Sequence, residues 1–388
     1  MKALLTSTDN PHITHLGGKH IHLLLLEKGL KTLGLEVTTL YYNPKNLKEL
    51  AKRSVLQLFP EKSRYKTKLN WMINYLRKHT PEEQFDIIHA HDVLSILAAS
   101  SMPQKKVLTL HGYFARENIE FVRNEKDRKA IYPMLFQLEK NAMKLADYVV
   151  TVDQRLKDYI TSELNYPTDK IEIMHNAVDT DRFSPVTEEQ QRALKKELGF
   201  DAESFVVMVP RRLVEKNGVV YAVRAMKHLK KENVRMLIAG DGPERSQIAK
   251  EAESDSRICM AGMIPHDRIA PYYKMVDIVL IPSITSHGIQ EATSLSMLEG
   301  MACGKVAICS NIGGMREIIQ NMKTGILTEE KRPEEIAKAI ETTIENPDLR
   351  SKIGNEARKY VLRNHSFIAH ASKVSQIYRA VLGENENA

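Results

Sequence analysis

The chain has 388 residues, 43% of them hydrophobic and 27% charged, a size that suits two domains and a mixture typical of a globular protein rather than a disordered one. No apolar run approaches the ~18 residues needed to cross a bilayer, and the opening Met1-Lys2-Ala3-Leu4-Leu5 turns polar by Thr6, too early for a signal peptide. Cys259, Cys303 and Cys309 cannot all pair and form no Cys-x-x-Cys, so a cytoplasmic location is expected, with no disulfide framework and no thiolate zinc site.

The formal charge is +7, and it is unevenly spread. Between Lys45 and Thr80 stand seven Lys and three Arg against only Glu49 and Glu61, so this stretch outweighs the whole net charge. Nucleic-acid binding would need basic residues over a wider surface or a recognisable module, and neither is present.

In chain order, β-branched runs alternate with helical stretches. Strands are predicted at residues 2–8, 35–42, 86–90, 106–110, 148–152 and 170–174. A second set follows at 205–209, 234–239, 257–261, 277–282, 305–310 and 325–328. Helices are expected at 18–33, 126–146 and 366–382. Such alternation implies parallel sheets covered on both faces, an α/β class. The two sets suggest two Rossmann-like doubly wound domains, 1–185 and 186–365, joined in the polar stretch from Asp181 to Gly199. Ligands of such sheets bind beyond the carboxyl ends of the strands, so the residues after each strand are the ones to inspect.

After the first strand, Gly17-Gly18 opens a helix. The pair suits either an ordinary turn or the close approach of a phosphate to a helix N-terminus. No Gly-x-Gly-x-x-Gly is present, which argues against a nicotinamide or flavin enzyme. His111 follows another strand in Thr109-Leu110-His111-Gly112. Beyond the seventh strand, Val209–Gly218 (VPRRLVEKNG) carries Arg212 and Lys216, placed to clamp a diphosphate. A tight turn, Ala239-Gly240-Asp241-Gly242-Pro243-Glu244, comes next, and then Glu291–Gly304 (EATSLSMLEGMACG), in which Glu291 and Glu299 stand eight positions apart.

Taken in this order, the glycine pair, the His-Gly, the Asn-x-Val-Asp segment at Asn176–Asp179, the Arg-Leu…Lys stretch, the Gly-Asp-Gly-Pro-Glu turn and the Glu-x7-Glu motif resemble the retaining glycosyltransferases of family 4. The resemblance covers nearly the whole chain. It implies the GT-B fold, two Rossmann-like domains facing across a cleft, with the first holding the acceptor and the second the donor. It also implies transfer of a hexosyl unit from a nucleotide-sugar with retained anomeric configuration and no catalytic metal or other cofactor. A UDP-sugar is the default donor, GDP-mannose and ADP-glucose stay open, and the acceptor is a sugar, lipid or polymer hydroxyl.

By that resemblance Gly17 and Gly18 approach the donor phosphates, and His111 contacts the donor sugar. Arg212 and Lys216 hold the diphosphate, Glu291 binds sugar hydroxyls, and Glu299 accepts from the ribose. The backbone N–H groups of Thr293, Ser294, Leu295 and Ser296 meet the sugar and distal phosphate. A helix from about Ser366 crosses back onto the first domain. Ala292 and Ser294 replace glycines common in the Glu-x7-Glu loop, at roughly 1 kcal/mol each if that loop needs positive φ. Arg211 replaces the usual glycine before Arg212, and Ala177 that of Asn-Gly-Val-Asp. The alternatives are a nucleotide-sugar epimerase or phosphorylase of similar fold, or a catalytically silent nucleotide-sugar-binding subunit.

Other motifs carry plainer readings. His12, His15, His20 and His22 look like a metal cluster, but no carboxylate completes it, and helix positions 20 and 22 point apart. Asp179-Thr180-Asp181 matches a metal–nucleotide signature, yet its place after Asn176-Ala177-Val178 reads as a turn and helix cap. Cys303 reads as core. The basic segment 45–80 interleaves its charges with Leu47, Leu50, Val55, Leu56, Leu58, Phe59, Trp71, Met72, Ile73, Tyr75 and Leu76. It is either a solvated face or a patch for an anionic acceptor or an anionic membrane, which would place the protein peripherally on the inner face.

Overall fold

The structure is a computed structural model, and it describes residues 1–12, 17–43, 60–120, 122, 124–286, 288 and 290–384. It divides into two compact units, Met1–His175 with His370–Ala388, and Asn176–Ala369. The division falls earlier than the boundary near 185 read from the sequence. The stretch expected to be a linker instead contains the helix Glu188–Glu197, whose start is closed by reciprocal bonds between Thr187 and Gln190. Lys195 on this helix reaches Asp277 (2.8 Å) and the carbonyl of Ser204 (2.7 Å), so the segment is built into the second unit.

The first unit holds six parallel strands: β1 (Lys2–Ser7), β2 (Glu36–Tyr41), β3 (Ile87–Ala90), β4 (Lys105–Leu110), β5 (Tyr148–Thr151) and β6 (Ile171–Ile173), in the order β2-β1-β3-β4-β5-β6. The second holds β7 (Phe205–Val209), β8 (Val234–Ala239), β9 (Ile258–Gly262), β10 (Ile278–Ile281), β11 (Val306–Ser310) and β12 (Ile326–Thr328), in the order β12-β11-β10-β7-β8-β9. Every strand expected from the sequence is present, and the bounds agree to one residue at each end. The central strands β3, β7 and β10 are buried along their whole length, as strands covered on both faces must be. Both sheets are doubly wound, and with helices around them they form the two-domain α/β GT-B fold.

The order of strands reverses between β1 and β3 in the first sheet and between β7 and β10 in the second. At these two points neighbouring connections leave the sheet in opposite directions, which opens a crevice at the carboxyl ends. The residues expected from the sequence to bind a ligand follow strands at these carboxyl ends.

Two other features bear on the site. The segments at Val178 and Ser366 lie side by side, with Val178 N–H donating to His365 O (2.8 Å) and Phe367 N–H to Val178 O (3.2 Å). The final helix, Phe367–Leu382, starts in the second unit, then packs Ala371, Val374, Ile377 and Tyr378 into the core of the first.

Candidate functional site

At the second switch point the chain leaves β7 through Pro210, Arg211 and Arg212 and makes a short turn, Glu215–Asn217, before the helix Val219–Met226. Gly218 joins turn to helix at φ +60°, and a Cβ there would lie 2.0 Å from the carbonyl of Pro282 after β10. Only glycine satisfies both conditions. Lys216 O accepts from Ile284 N–H (2.8 Å), so the two loops are stitched together. The Gly240–Gly242 turn packs on the other side, where Leu213 N–H donates to Asp241 O and Glu244 N–H to Leu213 O (3.0 Å each).

Arg211 and Arg212 part company in this frame. Arg212 and Lys216 are exposed, and neither side chain has a hydrogen-bonding or ionic partner among the described residues. The Arg211 guanidinium is buried. Its Nη2 donates to Glu291 Oε2 (2.6 Å), Asn217 Oδ1 (2.5 Å) and Ser283 Oγ (3.1 Å), and its Nη1 to Ser294 Oγ (3.2 Å).

Glu291 precedes the helix Leu295–Ala302, on which Glu299 sits. Ser294 caps that helix by accepting from Met297 N–H (3.4 Å), and Ser296 Oγ donates to Pro210 O (3.0 Å). Ser294 thus takes up the N–H groups of Met297 and, through its carbonyl (3.3 Å), of Leu298, which leaves those of Leu295 and Ser296 as the helix N-terminal donors with no partner within the helix. Asn176 Nδ2 donates to the carbonyl of Thr293 (3.3 Å). Glu299 is buried and accepts from His266 Nε2 (2.9 Å), while Arg182 donates to His266 Nδ1 (3.3 Å) and also to its carbonyl. Neither Ala292 nor Ser294 has positive φ, so the strain expected of their replacing glycine does not arise. Ser294 instead takes the capping position that its side chain favours.

The first switch point lies beyond β1 and β3. Asp92 caps the helix Val93–Ala98 and also accepts from Ser7 Oγ, Thr8 N–H and Lys19 Nζ. Lys19 stands just inside the helix Gly18–Thr32 and pairs with Asp9 (2.8 Å) and Asp92 (3.0 Å). Burial alone would lower its pKa, but the two carboxylates outweigh it and hold the ammonium above its usual range.

Beside this pair lie His22, His91 and His111, with ring nitrogens within 4.8 Å of one another. Burial, reinforced by neighbouring imidazoles and Lys19, pushes all three pKa values well down, so each ring is neutral. Neither nitrogen of His22 or His91, nor Nε2 of His111, has a partner among the described residues. His89 contrasts with them: its ring bonds the hydroxyls of Tyr378 and Thr109 (2.7 Å each), and burial takes it down to about 3. A metal-bound imidazole usually donates its second N–H to a carboxylate or carbonyl. Rings with both nitrogens open suit hydroxyl groups, which accept and donate in turn.

The sequence family described as Glycosyl transferases group 1 matches residues 190–360, and Glycosyltransferase Family 4 matches residues 16–182, so the two together take in both units. The chain belongs to the group 1 glycosyltransferases. It is 25% identical to an uncharacterized glycosyltransferase of Methanocaldococcus jannaschii over 98% of both chains. Among solved structures it is similar to a sucrose-phosphate synthase from Thermosynechococcus elongatus (TM-score 0.76, 19% identity, 99% of each chain). It is also similar to Anabaena HepE in complex with UDP-glucose (TM-score 0.68, 17% identity, 97% of this chain and 99% of that one).

In this glycosyltransferase, the residues expected to bind a donor fall into two groups, each within one unit. Arg212, Lys216, Glu291, Thr293, Ser294, Leu295, Ser296 and Glu299 gather at the second switch point. Gly17, Gly18 and His111 gather at the first. Sequence reasoning missed Arg211, Asn217 and Ser283 around Glu291, and His266 on Glu299. Arg211 had drawn notice only as a departure from glycine, and nothing in the linear order ties it to a residue 80 positions away. The first-unit partners of His111 were also missed, because the expected cluster joined His22 to its sequence neighbours. Of those, His20 turns away to accept from Gly17 N–H (3.0 Å), His12 meets Tyr41, and His15 lies outside the described residues. Asp179 Oδ1 accepts from the N–H groups of Asp181 and Arg182 (3.2 Å each), a turn as read. Cys303 is buried in the core of the second unit and pushed up to about 12 by burial.

Proposed function

We propose that this glycosyltransferase moves a hexosyl unit from a nucleoside-diphosphate sugar to an acceptor hydroxyl, with retained configuration and without a catalytic metal. The observation that carries the reading is the second switch point. Two exposed cations with no hydrogen-bonding or ionic partner among the described residues, Arg212 and Lys216, stand there beside two carboxylates and a helix N-terminus. That is the charge pattern of a diphosphate flanked by two polyols. A UDP-sugar is the default donor, and the UDP-glucose complex of the similarly folded Anabaena HepE supports it.

Cleavage of the bond to the diphosphate builds negative charge on the distal phosphate and positive charge on the anomeric carbon. Arg212, Lys216 and the N–H groups of Leu295 and Ser296 stabilise the first, and each such donor is worth about 3 kcal/mol in the transition state. Glu291 accepts from sugar hydroxyls, Glu299 from the ribose, and His111 donates to the sugar from the first unit. No carboxylate or serine in these groups is required as a nucleophile. Retention then follows a same-face path, in which the departing phosphate oxygen takes the acceptor's proton.

The test is direct. Purified protein is screened by thermal shift with UDP, GDP, ADP and their sugars. The best donor is then incubated with and without candidate acceptors, and the anomeric proton of the product is read by NMR. Stabilisation by a nucleoside diphosphate, release of that nucleotide and an α-product from an α-donor are expected. A chain that binds no nucleotide of the panel, or that inverts the anomeric centre, overturns the proposal.

A further inference from the structure

The two adjacent arginines after β7 face different tasks. Arg212 has no protein partner among the described residues, whereas Arg211 is tied to side chains from three separate elements: Ser283 after β10, Asn217 in the turn before Gly218, and Ser294 at the head of the helix that carries Glu299. Its strongest contact is the charge-assisted bond to Glu291 Oε2 at 2.6 Å. Side chains this densely bonded lose their rotamer freedom, and both partners are also clamped through the backbone. A Cβ on Gly240 would lie 1.9 Å from Arg211 O, and one on Gly313 would lie 2.0 Å from Glu291 O. Gly314 N–H donates to the same Glu291 carbonyl (3.1 Å).

Such an arrangement is poorly explained as a device for stability. A buried ion pair is often no better for the fold than an apolar pair of equal volume, and this one sits among hydroxyls and an amide rather than within an apolar core. Arg211 Nε is buried with no partner among the described residues, a cost that a finished structural network would avoid. What the arrangement does fix is the angle at which a carboxylate is presented.

We propose that Arg211 is a positioning residue that holds Glu291 as an oriented carboxylate for the donor sugar's hydroxyls, so that the two side chains act as one specificity element. Arg211 does not serve the diphosphate, because its charge is committed to Glu291, and that task falls to Arg212 and Lys216. Ser294 is part of the same element: its hydroxyl bonds the guanidinium and caps the helix, two uses that a glycine at this place could not supply. The departures from the family's glycines at 211 and 294 are thus linked by a contact.

This inference rests on the donor-site reading above, and the test separates the two. Arg211→Ala, Arg211→Lys, Glu291→Gln and the double variant Arg211→Ala/Glu291→Gln are compared with the wild type. The readouts are UDP affinity by calorimetry and kcat and KM for hydrolysis of the nucleotide-sugar that the wild type turns over fastest. The expected result is UDP affinity within about twofold of wild type, with kcat/KM down about 30- to 100-fold in each single variant. The double variant falls no lower than Glu291→Gln alone, the non-additivity expected of residues acting as a unit. Arg211→Lys keeps the charge but not the fork, and lies between. Losses that multiply, wild-type hydrolysis in Arg211→Ala, or UDP affinity falling in step with turnover would overturn the assignment. If Arg211→Ala does not fold, the cycle is run with Arg211→Lys and judged by the same additivity. A wild type that binds UDP, GDP and ADP not at all overturns the donor-site reading instead.

Discussion

The two switch points solve the same topological problem with opposite chemistry. In the second unit the charged groups that point inward are paired side by side: Arg211 with Glu291, His266 with Glu299. At that switch point Arg212 and Lys216 stand exposed, with no side-chain hydrogen bond or ion pair among the described residues. At the first switch point Lys19 is neutralised by Asp9 and Asp92, and the uncharged imidazoles of His22 and His91 lie buried beside it. A phosphate-bearing ligand needs unspent cations, and a neutral polyol needs groups that donate and accept without charge. Under the proposed function, the difference matches the anionic half of the donor to the second unit and hydroxyl groups to the first.

The largest effect should come from removing an unspent cation. Lys216→Ala is expected to lower turnover by about a hundredfold or more, equivalent to about 3 kcal/mol of transition-state stabilisation. Because the side chain is exposed and makes no hydrogen bond or ion pair among the described residues, the melting temperature should hardly move. Rates of donor hydrolysis beside a thermal melt check both halves. Near-normal turnover would mean that the exposed cations do not meet the phosphates, and the contrast between the units would lose its basis.

The first unit is best probed by acid. His22, His91 and His111 are held neutral by burial, with pKa values well below the ordinary 6.5, whereas in the unfolded chain each titrates near that value. Between the depressed values and about pH 6.5 the unfolded state binds more protons. Stability is therefore full above that pH and falls as the pH drops below it, by up to about 1.4 kcal/mol per pH unit for each histidine. Urea melts from pH 7.5 to 4.5 should show that slope, and His91→Phe should make it shallower. Replacing a buried group that has no partner with an apolar ring of similar shape should leave stability at pH 7.5 nearly unchanged. An unchanged slope would show that the cluster is not neutral in the folded state.

The sequence revealed more about the sheets than about the contacts across them. The central strands were legible because parallel strands buried on both faces are written as continuous apolar runs such as Phe205–Val209, and the partly buried edge strands Glu36–Tyr41 and Ile258–Gly262 through their alternation with helices. Arg212, Lys216, Glu291 and Glu299 were legible through a motif order. Arg211 was not, because its significance is a contact between two loops brought together only when β7 pairs with β10. The same reason hid the histidine trio, whose members come from the helix Gly18–Thr32 and from the ends of β3 and β4. The polar, charged stretch from Asp181 to Gly199 reads as a linker, while Lys195 and its partner Asp277 build its helix into the second unit.

A weaker effect is expected at the basic segment, of which 44–59 lies outside the described residues. Along Glu61–Lys78 the apolar side turns inward, with Leu69, Ile73 and Leu76 buried, which leaves Lys62, Lys66, Lys68 and Lys78 exposed. Contact with an anionic membrane through this helix would be electrostatic alone, about 1 kcal/mol per lysine near the surface. Sedimentation with phosphatidylserine vesicles should be modest at low salt and absent at high salt. Binding that resists salt would mean that apolar groups insert, against the inward packing of this face.

The smallest expected effect is that of a chelator, and it bears hardest on the contrast between the units. Asp179 spends its carboxylate on the turn it closes, so the Asp179-Thr180-Asp181 segment offers a metal little beyond Asp181. The three imidazoles of the first unit are the better ligand set by distance, yet His22 and His91 lack the outer partners that orient a metal-bound ring, among the described residues. Turnover in excess EDTA should therefore equal turnover without it, and added zinc or manganese should not raise it. If EDTA abolished activity and a metal restored it, the loss should be traced by His91→Phe. A variant that no longer responds to metal would convert the neutral cluster into a cation site, and the division of charged and uncharged work between the two units would be reversed.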